Sequence, residues 1–278
     1  MRSTVTKQPK QAGEHEWRAD AFDGHLVSLV DPTSFEADQY RTLRLVLEQM
    51  HTGKKLIAVT SAVAGDGKTT TALNLAGALA HAPEARILVM DLDLRTPSLG
   101  NRLGLINQSP GLVDLILDPE LTLDDVVRRH PRFPLMVVPG GRALTVTYEL
   151  LKSPRLGAVL QEARRQYDYV VLDTPPLVPV PDCRLIADWT DGFVLIVAAH
   201  RTPRPLLEEA LNLMDPTKLI GIVFNGDDRP LSGYYGYYYG YGHHRPAGRR
   251  GKSRRISVVD KVLASLKLRG PQPGGLRE

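Results

Sequence analysis

The chain of 278 residues has one cysteine, Cys183, so no internal disulfide can brace it and a reducing compartment suits it. A single thiol of this kind reads as a small buried apolar group. No stretch approaches 18 consecutive apolar residues, which excludes a helix that crosses a bilayer unaided. The opening "MRSTVTKQPKQAGEHEW" has none of the apolar core of a secretory signal, and a cytoplasmic location is expected. Positive charge is scarce over most of the length. The net charge is +4, yet the segment from Gly242 to Glu278 holds ten Lys/Arg and two Asp/Glu, a balance of +8, which leaves −4 for residues 1–241. A nucleic-acid-binding core would carry its own basic face, so nucleic acid is not expected as a partner.

What is present is a regular alternation. Residues 1–32 are polar and aperiodic, and are expected to be a mobile leader. From Ser34 the sequence "SFEADQYRTLRLVLEQM" places Tyr40, Leu43, Leu47 and Met50 at helical spacing. Short apolar runs follow at 56–61, 87–91, 135–139, 169–173, 193–197 and 219–224. Helices are predicted between them near 68–81, 111–117, 149–166, 182–188 and 203–214. Continuously apolar strands separated by helices predict an α/β fold, a doubly wound and mostly parallel sheet with helices on both faces. The globular domain is expected over 33–230, followed by a tyrosine-rich segment at 231–242 and a basic extension at 243–278.

The first strand runs into "AVAGDGKTT" (62–70) and then a helix, which fits a P-loop with Ala62 at the usual first-glycine position. Gly65 and Gly67 allow the backbone of Ala64, Gly65, Asp66 and Gly67 to wrap a phosphate with its N–H groups pointing inward. Lys68 neutralises the β/γ oxygens, Thr69 offers a hydroxyl to Mg²⁺, and Thr70 continues the positive helix N-terminus. ATP and Mg²⁺ are the cofactors this implies. Asp173 ends the strand "YVVLD", where open α/β sheets bind ligands, and is suited to Mg²⁺. Many P-loop ATPases place a glutamate next; here Thr174 follows. "ILVMDLDLRTPSL" ends another strand with Asp91 and Asp93, which share one side of an extended chain.

The combination of "GDGKTT", "DLDLR" (91–95), "VVLDTPP" and a tyrosine cluster resembles the bacterial tyrosine kinases of capsule and exopolysaccharide synthesis, over about Ser34 to Tyr241. The resemblance implies a protein-tyrosine autokinase with a P-loop fold. It implies Asp91 as the base on the incoming tyrosine hydroxyl, and Asp93 and Asp173 as Mg²⁺ holders. Asn225 matches an adenine contact of related P-loop ATPases. Arg41 and Arg44 match an oligomerisation motif whose acidic position holds Asp38, so a homo-oligomeric ring is expected. A separate membrane-spanning activator of the polysaccharide co-polymerase type is also implied, and with it a peripheral position at the inner face of the cell membrane. Two departures are Ala64, where relatives often have proline, and the residues that follow the tyrosine cluster.

That cluster, "YYGYYYGYGHH", holds Tyr234, Tyr235, Tyr237, Tyr238, Tyr239 and Tyr241, six of the ten tyrosines. Its glycines oppose both helix and strand, and the resemblance implies an autophosphorylation substrate. His243 and His244 have no neighbouring cysteine or carboxylate and read as linker. Beyond them a basic run with Val258, Val259, Val262, Leu263 and Leu266 at helical spacing fits contact with anionic lipid, docking on a partner, or a short helix packed on the domain. A partition-type ATPase switch is the main rival reading. That class carries a lysine five residues before the P-loop lysine, where this chain has Val63. A catalytically degenerate ATP-binding scaffold is the second rival, opposed by the intact Lys68, Asp91, Asp93 and Asp173.

Overall fold

The computed structural model describes Trp17, Arg18 and residues 23–49 and 55–227. In chain order the elements are α1 (Val27–Val30), α2 (Phe35–Gln49), β1 (Lys55–Ser61), α3 (Lys68–Ala80), β2 (Ile87–Asp91), α4 (Leu99–Arg102), α5 (Leu112–Leu117) and α6 (Leu123–Val126). They continue with β3 (Arg128–Arg129), β4 (Met136–Val138), α7 (Tyr148–Lys152), α8 (Pro154–Gln166), β5 (Tyr169–Asp173), α9 (Asp182–Ile186), β6 (Gly192–Ala198), α10 (Arg204–Asn212) and β7 (Leu219–Asn225). The strands form one sheet in the order β3-β4-β2-β5-β1-β6-β7, parallel except for β3, which runs antiparallel to β4.

The inner strands are apolar along their length because both faces are covered. Alternate residues feed two cores. Leu56, Ala58, Leu88, Met90, Val170 and Leu172 pack with Leu156, Val159 and Leu160 of α8 and Ala210 of α10. Ile57, Val59, Ile87, Val89 and Val171 pack with Leu73, Leu75 and Leu79 of α3 and Leu47 of α2. This two-residue alternation makes the doubly wound architecture, and it leaves the carboxyl ends of β1, β2 and β5 side by side at one edge.

Three expectations change. The helix predicted over 149–166 is two helices. Ser153, ahead of Pro154, takes extended geometry (φ −60, ψ 132), and its hydroxyl accepts a hydrogen bond from Arg155 N as an N-cap. The polar leader is not wholly a loose one. Leu26 is fully buried, Trp17 bridges to Leu105, and the Trp17 ring stands edge-on to His130 with centroids 4.6 Å apart. Burial of such large apolar groups offsets the ordering of the polar residues beside them. The two-residue strand β3 was not anticipated at all, since Arg128 and Arg129 have no apolar pattern. The tyrosine cluster, the histidine pair and the basic extension lie outside the described residues. Among the described residues no helix is long and apolar enough to cross a membrane.

Candidate active site

The loop between β1 and α3 is shaped by two glycines in left-handed geometry, Gly65 (φ +86) and Gly67 (φ +97). At Gly67 a side chain is excluded by space as well as by φ, because an added Cβ would lie 2.0 Å from Asn225 Nδ2. Asn225, the last residue of β7, donates from Nδ2 to the carbonyl of Asp66 at 2.9 Å, so it braces the loop. The Asp66 side chain is also committed within the fold. It accepts from Val63 N at 3.2 Å and from the Thr202 hydroxyl at 2.8 Å, and this leaves the loop's backbone as its ligand-facing surface.

Lys68 opens α3 and its ammonium lies 2.8 Å from Asp93 Oδ2. Burial opposes its charge, but the carboxylates of Asp173, Asp93 and Asp91 outweigh that, and its pKa is raised above the ordinary lysine value. Thr69 follows, buried, with its hydroxyl 3.3 Å from Ser98 Oγ. The Thr70 hydroxyl accepts from Arg102 Nη1 at 3.1 Å.

The three aspartates converge because β2 and β5 are adjacent and in register, with Asp91 opposite Asp173. Asp91 accepts three backbone hydrogen bonds, from Asp93 N at 3.1 Å and from Ser98 N and Leu99 N at 2.9 and 3.0 Å. Burial, and then the facing Asp173, push its pKa well above the ordinary carboxylate value against those N–H groups. Asp93 accepts from the N–H and hydroxyl of Thr96 through its other oxygen. Asp173 is fully buried and neither of its oxygens has a hydrogen-bond partner among the described residues. Burial raises it to about 6, with Lys68 and the nearby Thr69 hydroxyl pulling the other way, the latter outside direct hydrogen-bond geometry.

An orphaned buried carboxylate beside a lysine, a buried threonine hydroxyl and a loop shaped by two left-handed glycines fits a metal–phosphate ligand. The donors are hard oxygens, as Mg²⁺ requires. Among the described residues no group of three or more His, Cys, Asp or Glu forms a metal cage by itself.

Sequence reasoning left Arg95 without a role. Its guanidinium grips the buried Asp182 with two bonds, Nε to Oδ2 at 2.9 Å and Nη2 to Oδ1 at 3.2 Å, and also donates to the carbonyl of Thr145. Thr147 adds a hydroxyl bond to Asp182 at 2.6 Å. The motif's arginine thus ties the loop after β2 to α9. The DLDLR spacing signalled Arg95, but nothing local signalled Asp182. On α2, Asp38 and Arg41 pair with each other, as their spacing anticipates. Arg44 pairs with Glu48 and donates to the carbonyl of Ala78 on α3.

A strand, a glycine loop and a helix opening on Lys-Thr, set at the carboxyl edge of a parallel sheet beside Asp173, define a P-loop nucleotide-binding protein. The AAA domain family matches residues 54–187. The tyrosine-protein kinase YwqD of Bacillus subtilis is 30% identical over 225 residues, 80% of this chain and 94% of that protein. The succinoglycan biosynthesis transport protein ExoP of Rhizobium meliloti is 33% identical over 214 residues, 73% of this chain and 26% of ExoP. Among solved structures, the chimerical protein CapA2B2 superposes with a TM-score of 0.67 at 27% identity, covering 73% of this chain and 89% of that one. The chain belongs to the family of bacterial tyrosine-protein kinases.

Proposed function

We propose that the chain transfers the γ-phosphoryl group of ATP to tyrosine hydroxyls, its own tail foremost, within a system that makes and exports a polysaccharide. The observation that carries the chemistry is the convergence of Lys68, Asp91, Asp93 and Asp173 at one buried edge, with Asp173 unpaired. Lys68 and the N–H groups of residues 64–69 would hold the phosphates. Thr69, Asp93 and Asp173 would hold Mg²⁺, which when bound neutralises the β/γ oxygens. For Asp93 to serve, its ion pair with Lys68 must loosen. Asp91 would receive the tyrosine proton as the hydroxyl oxygen bonds to phosphorus and the bridge to the β-phosphate breaks. Its raised pKa brings it nearer the range of an efficient base. Asn225, which braces the P-loop, would meet the adenine on its other side.

The tail tyrosines Tyr234 to Tyr241 would be the acceptors, and a short tether makes a neighbouring subunit's site a target at high effective concentration. Asp38, Arg41 and Arg44 on α2 would set the contact between subunits of a ring. ExoP, of which this chain matches only 26%, supports a partnership with an export component; here that partner would be a separate membrane-spanning protein. The basic extension would add contact with anionic lipid.

Incubation with ATP and Mg²⁺ followed by anti-phosphotyrosine detection tests the reading. Changing all six tail tyrosines to Phe should remove most of the label and leave ATP binding intact. Label that persists on Tyr40 or Tyr148 would show that the tail is not the substrate. No label on the wild-type chain in the presence of bound ATP favours the scaffold or the ATPase switch.

A further inference from the structure

The turn between β6 and α10 is built onto the P-loop rather than merely near it. The Thr202 hydroxyl accepts from Ala198 N at 2.9 Å and donates to Asp66 Oδ1 at 2.8 Å, which joins the turn to the P-loop by a side-chain bond. Ala199 N donates to the carbonyl of Asn225 at 2.8 Å, and Asn225 in turn braces Asp66 and Gly67. Within this turn His200 has φ +60, a left-handed conformation that costs a non-glycine residue about 1 kcal/mol or more and that is retained when the surroundings impose it. The next residue is Arg201. Its side chain is exposed and makes no hydrogen bond or ion pair with any described residue. A methyl group placed on Gly65 would lie 3.6 Å from Arg201 Nη2, so the guanidinium hangs over the glycine at the mouth of the loop.

The geometry points to Arg201 as a further nucleotide-binding residue, one that reaches the phosphate chain over Gly65. The inference rests on the nucleotide reading of the P-loop. A guanidinium offers a planar fork of donors that matches two phosphate oxygens at once, which a lysine does not. Lys68 is already paired with Asp93 among three carboxylates, so much of its charge is spent locally. Arg201 has no such partner among the described residues, and its charge is available to whatever the loop binds. The strained His200 is explained as the backbone setting that turns Arg201 toward the loop, and the Thr202–Asp66 bond keeps that setting in register with the P-loop.

The test is calorimetric titration of the full chain with ATP, ADP and adenosine, for the wild type, Arg201→Gln and Arg201→Lys. Arg201→Gln should weaken ATP and ADP binding about 10-fold or more, as loss of a charge-assisted bond pair implies. Adenosine binding and the unfolding midpoint of the nucleotide-free protein should stay unchanged, and Arg201→Lys should recover part of the affinity. Equal weakening for adenosine would place Arg201 on the base and overturn the assignment, as would unchanged ATP and ADP affinity in Arg201→Gln. A wild-type chain that binds neither ATP nor ADP would instead remove the nucleotide reading on which it rests.

Discussion

Asp173 and Asp182 stand close in sequence, and both are removed from solvent, at 0% and 1% exposure. Asp182 has a guanidinium on both oxygens and a threonine hydroxyl besides. Asp173 has no hydrogen-bond partner among the described residues, pairs in register with Asp91 on the neighbouring strand, and is raised to about 6. The two carboxylates show how one edge of a sheet divides its labour. The charge of Asp182 is paired within the fold, whereas that of Asp173 is buried without a hydrogen bond, which has a cost that the rest of the fold offsets.

The sharpest way to break this contrast is at the group that opposes the unpaired charge. Lys68→Met should abolish autophosphorylation, a loss of about 10³-fold or more on the scale of removing preorganised charge from a phosphoryl-transfer site. Anti-phosphotyrosine blots and γ-phosphate transfer to the chain measure it, and retained label would defeat the site assignment.

Next comes Asp173→Asn, for which activity and stability should move in opposite directions. Activity should fall about 10²-fold or more. Stability of the nucleotide-free protein at pH 7 should rise by an amount on the order of 2–3 kcal/mol, the equivalent of raising a carboxyl from 3.8 to about 6. The sign follows from linkage. The folded chain binds this proton more tightly than the unfolded one, so stability is full below about pH 4 and is lost as the pH climbs to about 6. Urea midpoints of wild type and variant should therefore converge near pH 4 and separate by pH 7. Parallel curves at all pH values would show that Asp173 is not the strained group.

At Asp182 the expectation reverses. Asp182→Ala removes the paired carboxylate and should destabilise the domain by about 2–3 kcal/mol, discounted from the range for fully buried pairs because Arg95 is partly exposed. No gain in stability is expected at any pH. The smallest effect should come from Thr147→Val, which removes one hydroxyl bond to Asp182 and should cost about 1 kcal/mol. If Thr147→Val proves as damaging as Asp182→Ala, the contribution of Arg95 is negligible and the contrast loses one side.

The linear order of residues was enough to reveal the P-loop, the strand-end aspartates and the doubly wound sheet. Each is carried by neighbours within a few positions: glycines two apart, Asp91 and Asp93 on one side of an extended strand, apolar runs bounded by polar turns. Other features depend on partners remote in the chain. Arg95 meets Asp182 across 87 positions, Thr202 meets Asp66 across 136, and Asn225 meets Asp66 across 159. No local period encodes such pairs: the first exists only once the loop after β2 meets α9, and the other two only once β1, β6 and β7 lie side by side. The same holds for Trp17 and Leu26, which are buried only through packing with residues distant in the chain, such as Leu73, Leu99 and Leu105. The break at Ser153-Pro154 was locally legible from proline's bias on the preceding residue, yet the apolar period on either side hid it. Asp173 is the limiting case. Its position at a strand end follows from local pattern, but its lack of a hydrogen-bond partner is a property of the space around it, and only the assembled sheet creates that space.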